Sequence, residues 1–99
     1  MARFDVYENA GGDGCLLDVQ ADLLDALNTR VVVPLLPLPS APSPAQRLNP
    51  VFRIDGNELV MATQYLAAVP AGELSTQVGS LAEKRDEISA ALDMLFLGF

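Results

Sequence analysis

Six of the seven prolines crowd into one stretch, at positions 34, 37, 39, 42, 44 and 50. Proline removes a backbone donor and fixes φ at about −65°, so such a stretch forms neither helix nor the middle of a sheet. The segment reads as a long extended or polyproline-like excursion over the surface. A ligand for a proline-recognition module is the weaker alternative. The patterns on either side are strand patterns, and Ser80–Phe99 is the one window that carries a clear helical period.

In that window Leu81, Ile88, Leu92, Leu95 and Phe99 recur at steps that form one stripe of a 3.6-period helix. Ser80 with Glu83 three residues on has the form of a capping box. Gly98 stands where helices end in a left-handed residue. Leu97 breaks the pattern. It falls about 180° from Ile88, on the face of Asp86 and Asp93. Met94, Leu95, Phe96, Leu97 and Phe99 make the last turn apolar all round, and exposed clusters of this kind mark partner or oligomer contacts.

Ahead of the prolines, Arg3–Glu8 alternates with Phe4 and Val6 on one side, and Cys15–Gln20 resumes strand character with Leu17 and Val19 inward. Asn9–Gly14, with three glycines, turns between them, so the two segments predict a hairpin. No Gly-Lys-Ser/Thr follows, which excludes a phosphate loop. Arg30–Leu36 is a β-branched run, a strand buried on both faces. Leu23 and Leu24, in a short polar-flanked segment, are either a plug under the sheet or a small exposed ridge. After the prolines, Val51–Ile54 and Asn57–Met61 flank Asp55-Gly56, the strongest hairpin signal in the chain. Thr63–Val69 is a further strand or bend ended by Pro70, and Ala71–Gly79 reads as irregular. The expected architecture is a single domain over residues 1–99, a mostly antiparallel β structure closed by one C-terminal helix.

Thirteen acidic against six basic residues give a net charge of −7. Nucleic-acid binding rests on Lys and Arg neutralising phosphates, and the bases Arg3, Arg30, Arg47, Arg53, Lys84 and Arg85 draw no stripe. Direct DNA or RNA binding is therefore not expected, and the expected partner is a protein. No apolar run is long enough for a membrane span, and the N-terminus lacks a signal-peptide core, so the cytoplasm is the expected compartment.

The chain holds no His, which removes the usual proton shuttle near neutral pH. Cys15 is the one cysteine, so it forms no internal disulfide, and with Gly14 and Leu16 beside it the thiol reads as inert. Asp18, Asp22 and Asp25 lack the Gly and distal Glu of a calcium loop and are expected to be solvated or capping acids. No catalytic residue, cofactor or metal is expected. One arrangement stays open, an Arg-plus-acid ribonuclease site built on Arg30 or Arg53 with a nearby Asp.

Val6-Tyr7, Leu17-Asp18-Val19-Gln20-Ala21-Asp22-Leu23-Leu24-Asp25, Arg30–Leu35, Asn49-Pro50-Val51, Val69-Pro70 and Met94–Phe99 occur in order in a pattern that resembles the CcdB family of toxins from bacterial toxin–antitoxin pairs. The resemblance implies an SH3-like antiparallel barrel with one C-terminal α-helix, assembled as a two-fold homodimer. It implies a toxin that binds the A subunit of DNA gyrase and traps the cleaved complex, with no catalytic activity of its own. It also implies a cognate CcdA-like antitoxin that wraps the toxin. The gyrase-binding residues carried over by position are Leu97, Gly98, Phe99, Leu23 and Leu24, with Arg85 and Asp93 on the helix. The proline segment falls where the family has a long variable loop.

The family's usual ending is Trp-Gly-Ile. Here it is Leu97-Gly98-Phe99, and the chain has no Trp. A lost indole–arginine stack forfeits on the order of 0.5–2 kcal/mol. Arg85 and Asp93 stand where the family usually has Glu and Asn. Three functions follow as alternatives: a gyrase poison, weakened or aimed at topoisomerase IV; an endoribonuclease toxin of the MazF type; and a family member that binds its antitoxin and poisons nothing.

Overall fold

The sheet is built around one strand. In the computed structural model, which describes residues Met1–Phe99, β3 (Thr29–Pro37) pairs with three others. Along one edge it carries β2 (Cys15–Asp18), which forms the predicted hairpin with β1 (Asp5–Glu8). Along the other edge its first half pairs with β6 (Ala67–Pro70) and its second half with β5 (Asn57–Met61). β4 (Val51–Ile54) pairs with β5, and β7 (Gln77–Ser80) pairs with β1. All pairings are antiparallel. The strand order β4-β5-β3-β2-β1-β7 forms a half-barrel, with the helix α1 (Arg85–Leu97) closing the chain. This is the mainly β, SH3-like arrangement with one C-terminal helix that the sequence predicts. No helix is long and apolar enough to cross a membrane.

Burial on both faces of β3 is as expected, and it separates two clusters. Val33 and Leu35 point into the main core with Val6, Leu17, Phe52, Leu59, Met61, Ile88 and Ala91. Val32 faces the other way, against Tyr7 and Leu74. The hairpin of β4 and β5 turns through Asp55 and Gly56, both at positive φ (51° and 81°), as an Asp-Gly turn of the mirror-image type requires.

The proline segment is not wholly outside the sheet. Pro34 and Pro37 belong to β3: the strand read over Arg30–Leu36 takes in Pro34 as expected, whereas the reading of these prolines as a surface excursion outside any central strand does not hold for either. Pro34 lies beyond β6's last partner, Val32, and before β5's first, Leu35. A residue's N–H and C=O leave a strand on the same side. The Pro34 carbonyl accepts from the Ala62 N–H on that side at 2.9 Å, so the missing N–H falls where the sheet changes partner and no ladder bond is due.

Four boundaries move. β1 begins at Asp5, since Phe4 takes a left-handed φ of 76°, donates to the Asp18 carbonyl at 2.6 Å and accepts from the Leu81 N–H at 2.8 Å. The stretch expected to be irregular contains β7, an edge strand held by β1. Thr63–Tyr65 is a 3-10 turn that leads into β6. Ser80 belongs to β7, and its Oγ accepts from the Ala82 N–H at 3.2 Å, so no capping box with Glu83 forms. A 3-10 turn at Ala82–Lys84 follows, and α1 starts at Arg85 without a side-chain cap.

Ile88 and Ala91 are the helix residues buried in the core, and Leu92 packs against it. Phe99, placed on the inward stripe by its spacing, lies beyond the end of the helix and is exposed.

Candidate docking site

α1 ends in an apolar turn that nothing covers. Phe96, Leu97 and Phe99 are 67%, 60% and 73% exposed. Ile88 and Ala91 fix which side of the helix faces the core, and Leu97 lies away from it, as its helical phase predicts. Gly98 is left-handed at φ 82°, and its N–H donates to the carbonyls of Asp93 and Met94 at 3.2 Å each. That cap turns the backbone after Leu97 and sets the direction in which Phe99 leaves the helix.

A second apolar group stands on the 3-10 turn Asp22–Leu24. Leu23 is 92% exposed, and Leu24 and Leu27 are about half exposed. Of the two sequence readings of this pair, the exposed ridge is correct.

The ridge rests on a buried polar network. Arg30 donates to Asp18 Oδ2 through Nε at 2.9 Å and through Nη2 at 2.5 Å. Asp18 Oδ1 accepts from the Gln20 N–H at 3.0 Å. The Gln20 side chain then spans the gap, accepting from the Val31 N–H and donating to the Leu24 carbonyl, each at 3.0 Å. Asp22 Oδ1 accepts from the Arg3 N–H at 2.7 Å and ties the turn to the N-terminal segment. Asp18 is fully buried, a correction to its reading as a solvated or capping acid, because β3 brings Arg30 against it. Burial pushes the Asp18 carboxyl above its usual range, while the hydrogen bonds from Arg30 and the Gln20 amide pull against that rise.

The carried-over residues do not form one patch within the chain. Leu97, Gly98 and Phe99 sit together at one end of α1, and Asp93 lies one helical turn before Leu97 on the same exposed side. Arg85 is the first helical residue, about 18 Å along the axis from Leu97. α1 packs through Ile88 and Ala91 on the core of the sheet and lies beside the turn Thr63–Tyr65, not beside the turn that bears Leu23. Sequence reasoning missed Gln20, Asp18 and Arg30 as supports of the ridge. The available signal was polar side chains at adjoining strand ends: Asp18 closing β2, Gln20 two residues on, and Arg30 near the start of β3.

The arginines proposed for a ribonuclease site are both engaged. Arg30 is 1% exposed and bound to Asp18, so it does not reach a phosphate in solution. Arg53 is exposed on the β4–β5 hairpin, where its Nη2 lies 3.4 Å from Glu58 Oε1. No cluster of three or more His, Cys, Asp or Glu has the arrangement of a metal site.

A family model described as CcdB protein matches residues 3–98, nearly the whole chain. The chain belongs to the CcdB family. Among solved structures, this CcdB-family chain is similar to a mycobacterial endoribonuclease in complex with its cognate antitoxin. The TM-score is 0.74 at 18% identity, covering 100% of this chain and 96% of the other. A second mycobacterial endoribonuclease matches with a TM-score of 0.72 at 17% identity, covering 100% and 92%. At such identities the likeness is one of fold.

Proposed function

We propose that this CcdB-family chain is the toxin of a toxin–antitoxin pair, and that it acts by binding the A subunit of DNA gyrase and trapping the cleaved complex, with no catalysis of its own. The observation that carries the proposal is the exposed apolar turn at Phe96–Phe99, aimed by a left-handed Gly98. Exposed apolar patches on a chain this acidic serve contact with other proteins. Leu97, Gly98 and Phe99 form the principal anchor, Leu23 and Leu24 a second, and Asp93 and Arg85 flank them along α1.

A two-fold homodimer unites the anchors, since one protomer carries them on separate elements and leaves the apolar turn uncovered. A CcdA-like antitoxin neutralises the toxin in the cytoplasm by covering these surfaces, and one of the mycobacterial neighbours was solved with its antitoxin on this fold. Burial of Arg30 and the net charge of −7 both support protein docking over cleavage of RNA.

The deciding experiment is calorimetric titration of the chain against A-subunit fragments of gyrase and of topoisomerase IV, with growth arrest followed in a host whose gyrase A subunit is resistant. Binding to gyrase, with arrest abolished in that host, is the expected result. Arrest that persists there with cleavage of cellular RNA would overturn it in favour of an endoribonuclease. Binding to topoisomerase IV alone would move the target and keep the mode of action.

A further inference from the structure

A groove of about 730 Å³ is lined by no residue of α1 or of the apolar turn that ends it. Its floor is apolar, formed by Cys15, Ile54, Leu59 and Val78, with Leu38 on its proline-flanked rim half exposed. Three parts of the chain supply its acids: Glu8 and Asp13 from the β1–β2 hairpin, Asp55 from the β4–β5 turn and Glu58 from β5. No Lys or Arg lines it. Glu58 is paired with Arg53, whose guanidinium stands 3.4 Å away, both side chains being exposed. Asp13 also lies 3.5 Å from the Ser40 hydroxyl. Three carboxylates therefore face the groove without a basic partner.

We infer that this groove docks a basic polypeptide segment of a partner protein, one in which Lys or Arg alternates with small apolar side chains. A segment of that chemistry covers the exposed Leu38 and packs an apolar side chain against Val78, above the buried Ile54 and Leu59, while its cations meet Glu8, Asp13 and Asp55. A free polyamine would match the charges but leave Leu38 in water. An acidic segment would be repelled. The field of the rim is felt at the floor, where burial raises the Cys15 thiol above its ordinary range and Asp55 and Glu8 raise it further. The inference goes beyond the proposed target, because it concerns a different face and holds whichever topoisomerase, or none, is bound.

Cys15 is the chain's single thiol and lines the groove, so its reactivity reports occupancy at this place. The probes are a short synthetic peptide alternating arginine with alanine and leucine, the same peptide with glutamate for arginine, and spermidine. Binding is followed by calorimetry, and the reaction of Cys15 with neutral methyl methanethiosulfonate is timed in parallel. The expected result is that the arginine peptide binds, weakens as salt rises, and slows Cys15 modification, while the glutamate peptide does neither.

Asp55→Asn keeps a residue suited to positive φ and removes one carboxylate, and Asp55→Asn with Glu8→Gln removes two. Circular dichroism checks that both variants fold, and the double variant should bind the arginine peptide roughly tenfold more weakly. Absence of arginine-peptide binding, binding that leaves the Cys15 rate unchanged, or equal binding by spermidine would each overturn the inference. Gyrase binding is measured separately, so the two proposals fail independently.

Discussion

Arg30 and Asp18 form an ion pair across β2 and β3 in which both side chains are withdrawn from water, at 1% and 0% exposure. Arg30 presents two nitrogens to one carboxylate oxygen, and the other oxygen holds the Gln20 backbone. The pair thereby connects the interior of the sheet to the turn that raises Leu23 into solvent. Arg30 Nη1 is buried without a hydrogen-bond partner, so the guanidinium depends on Asp18 for its compensation.

Breaking the pair on one side should therefore cost more than removing it. Asp18→Asn leaves a buried guanidinium without its counter-charge and should lower stability by about 3–5 kcal/mol in denaturant unfolding. The double variant Asp18→Leu with Arg30→Met should lose less than Asp18→Asn alone. Gln20→Ala should cost about 1–3 kcal/mol through the unpaired Val31 N–H and Leu24 carbonyl. It should also free the Leu23 turn, read as faster amide exchange from Ala21 to Leu24.

Core and surface on α1 separate in the same assay. Ile88 is fully buried among Phe52, Leu59 and Ala91, and Ile88→Ala should cost about 2–5 kcal/mol through lost burial and a cavity. Leu97→Ala should stay within about 0.5 kcal/mol of the wild type, since the side chain is 60% exposed. Leu95 is only half-buried, so Leu95→Ala should fall between them. Equal losses at Leu97 and Ile88 would remove Leu97 from the surface and from the docking site.

What the sequence disclosed and what it concealed divide by distance along the chain. The Asp55-Gly56 hairpin and the left-handed Gly98 were legible because adjacent residues set a turn's φ requirements. Leu97's exposure was legible because helical phase is local. Asp18 was misread as solvated, since only the pairing of β2 with β3 brings Arg30 to it. The β7 strand and the lost capping box share one cause: β1, from the other end of the chain, recruits Ser80 opposite Asp5. Pro34 sits in a central strand because the sheet changes partner there, a fact of topology that no proline count reveals.

Alkaline pH should weaken the fold. The Tyr7 hydroxyl and the Cys15 thiol are both raised, by burial first, from ordinary values of 10.0 and 9.0. An acid with a raised folded pKa keeps its proton in the folded state while the unfolded chain ionises. Stability is then unaffected below the unfolded values and falls as pH climbs through them. Unfolding midpoints should be flat on the acid side of pH 9.0 with respect to these groups and decline above it. Cys15 alkylation should rise at higher pH than for a free cysteine, and Asp55→Asn should move that rise part of the way back toward 9.0, because burial and then the Asp55 charge raise the thiol.

The terminal turn offers the sharpest test of the proposed target. Leu97, the position where the sequence resemblance places a Trp, has its side chain in water and free of the core, so an indole can be placed there without repacking anything. If the turn engages gyrase by apolar packing of Leu97 and Phe99, Leu97→Trp should add a cation–π contact worth about 1–2 kcal/mol. That tightens the dissociation constant by roughly five- to thirty-fold. Gly98→Val is the counterpart. No neighbouring atom lies within 4 Å of a Cβ at position 98, so the penalty comes from φ 82° alone, a conformation that a β-branched residue resists. The variant should keep its fold, since the position follows α1, yet lose gyrase binding because Phe99 is aimed elsewhere. Calorimetric titration of wild type, Leu97→Trp and Gly98→Val against the gyrase A fragment reads all three. Unchanged affinity in both variants would remove the Phe96–Phe99 turn from the gyrase contact and leave the Leu23 ridge as its remaining anchor.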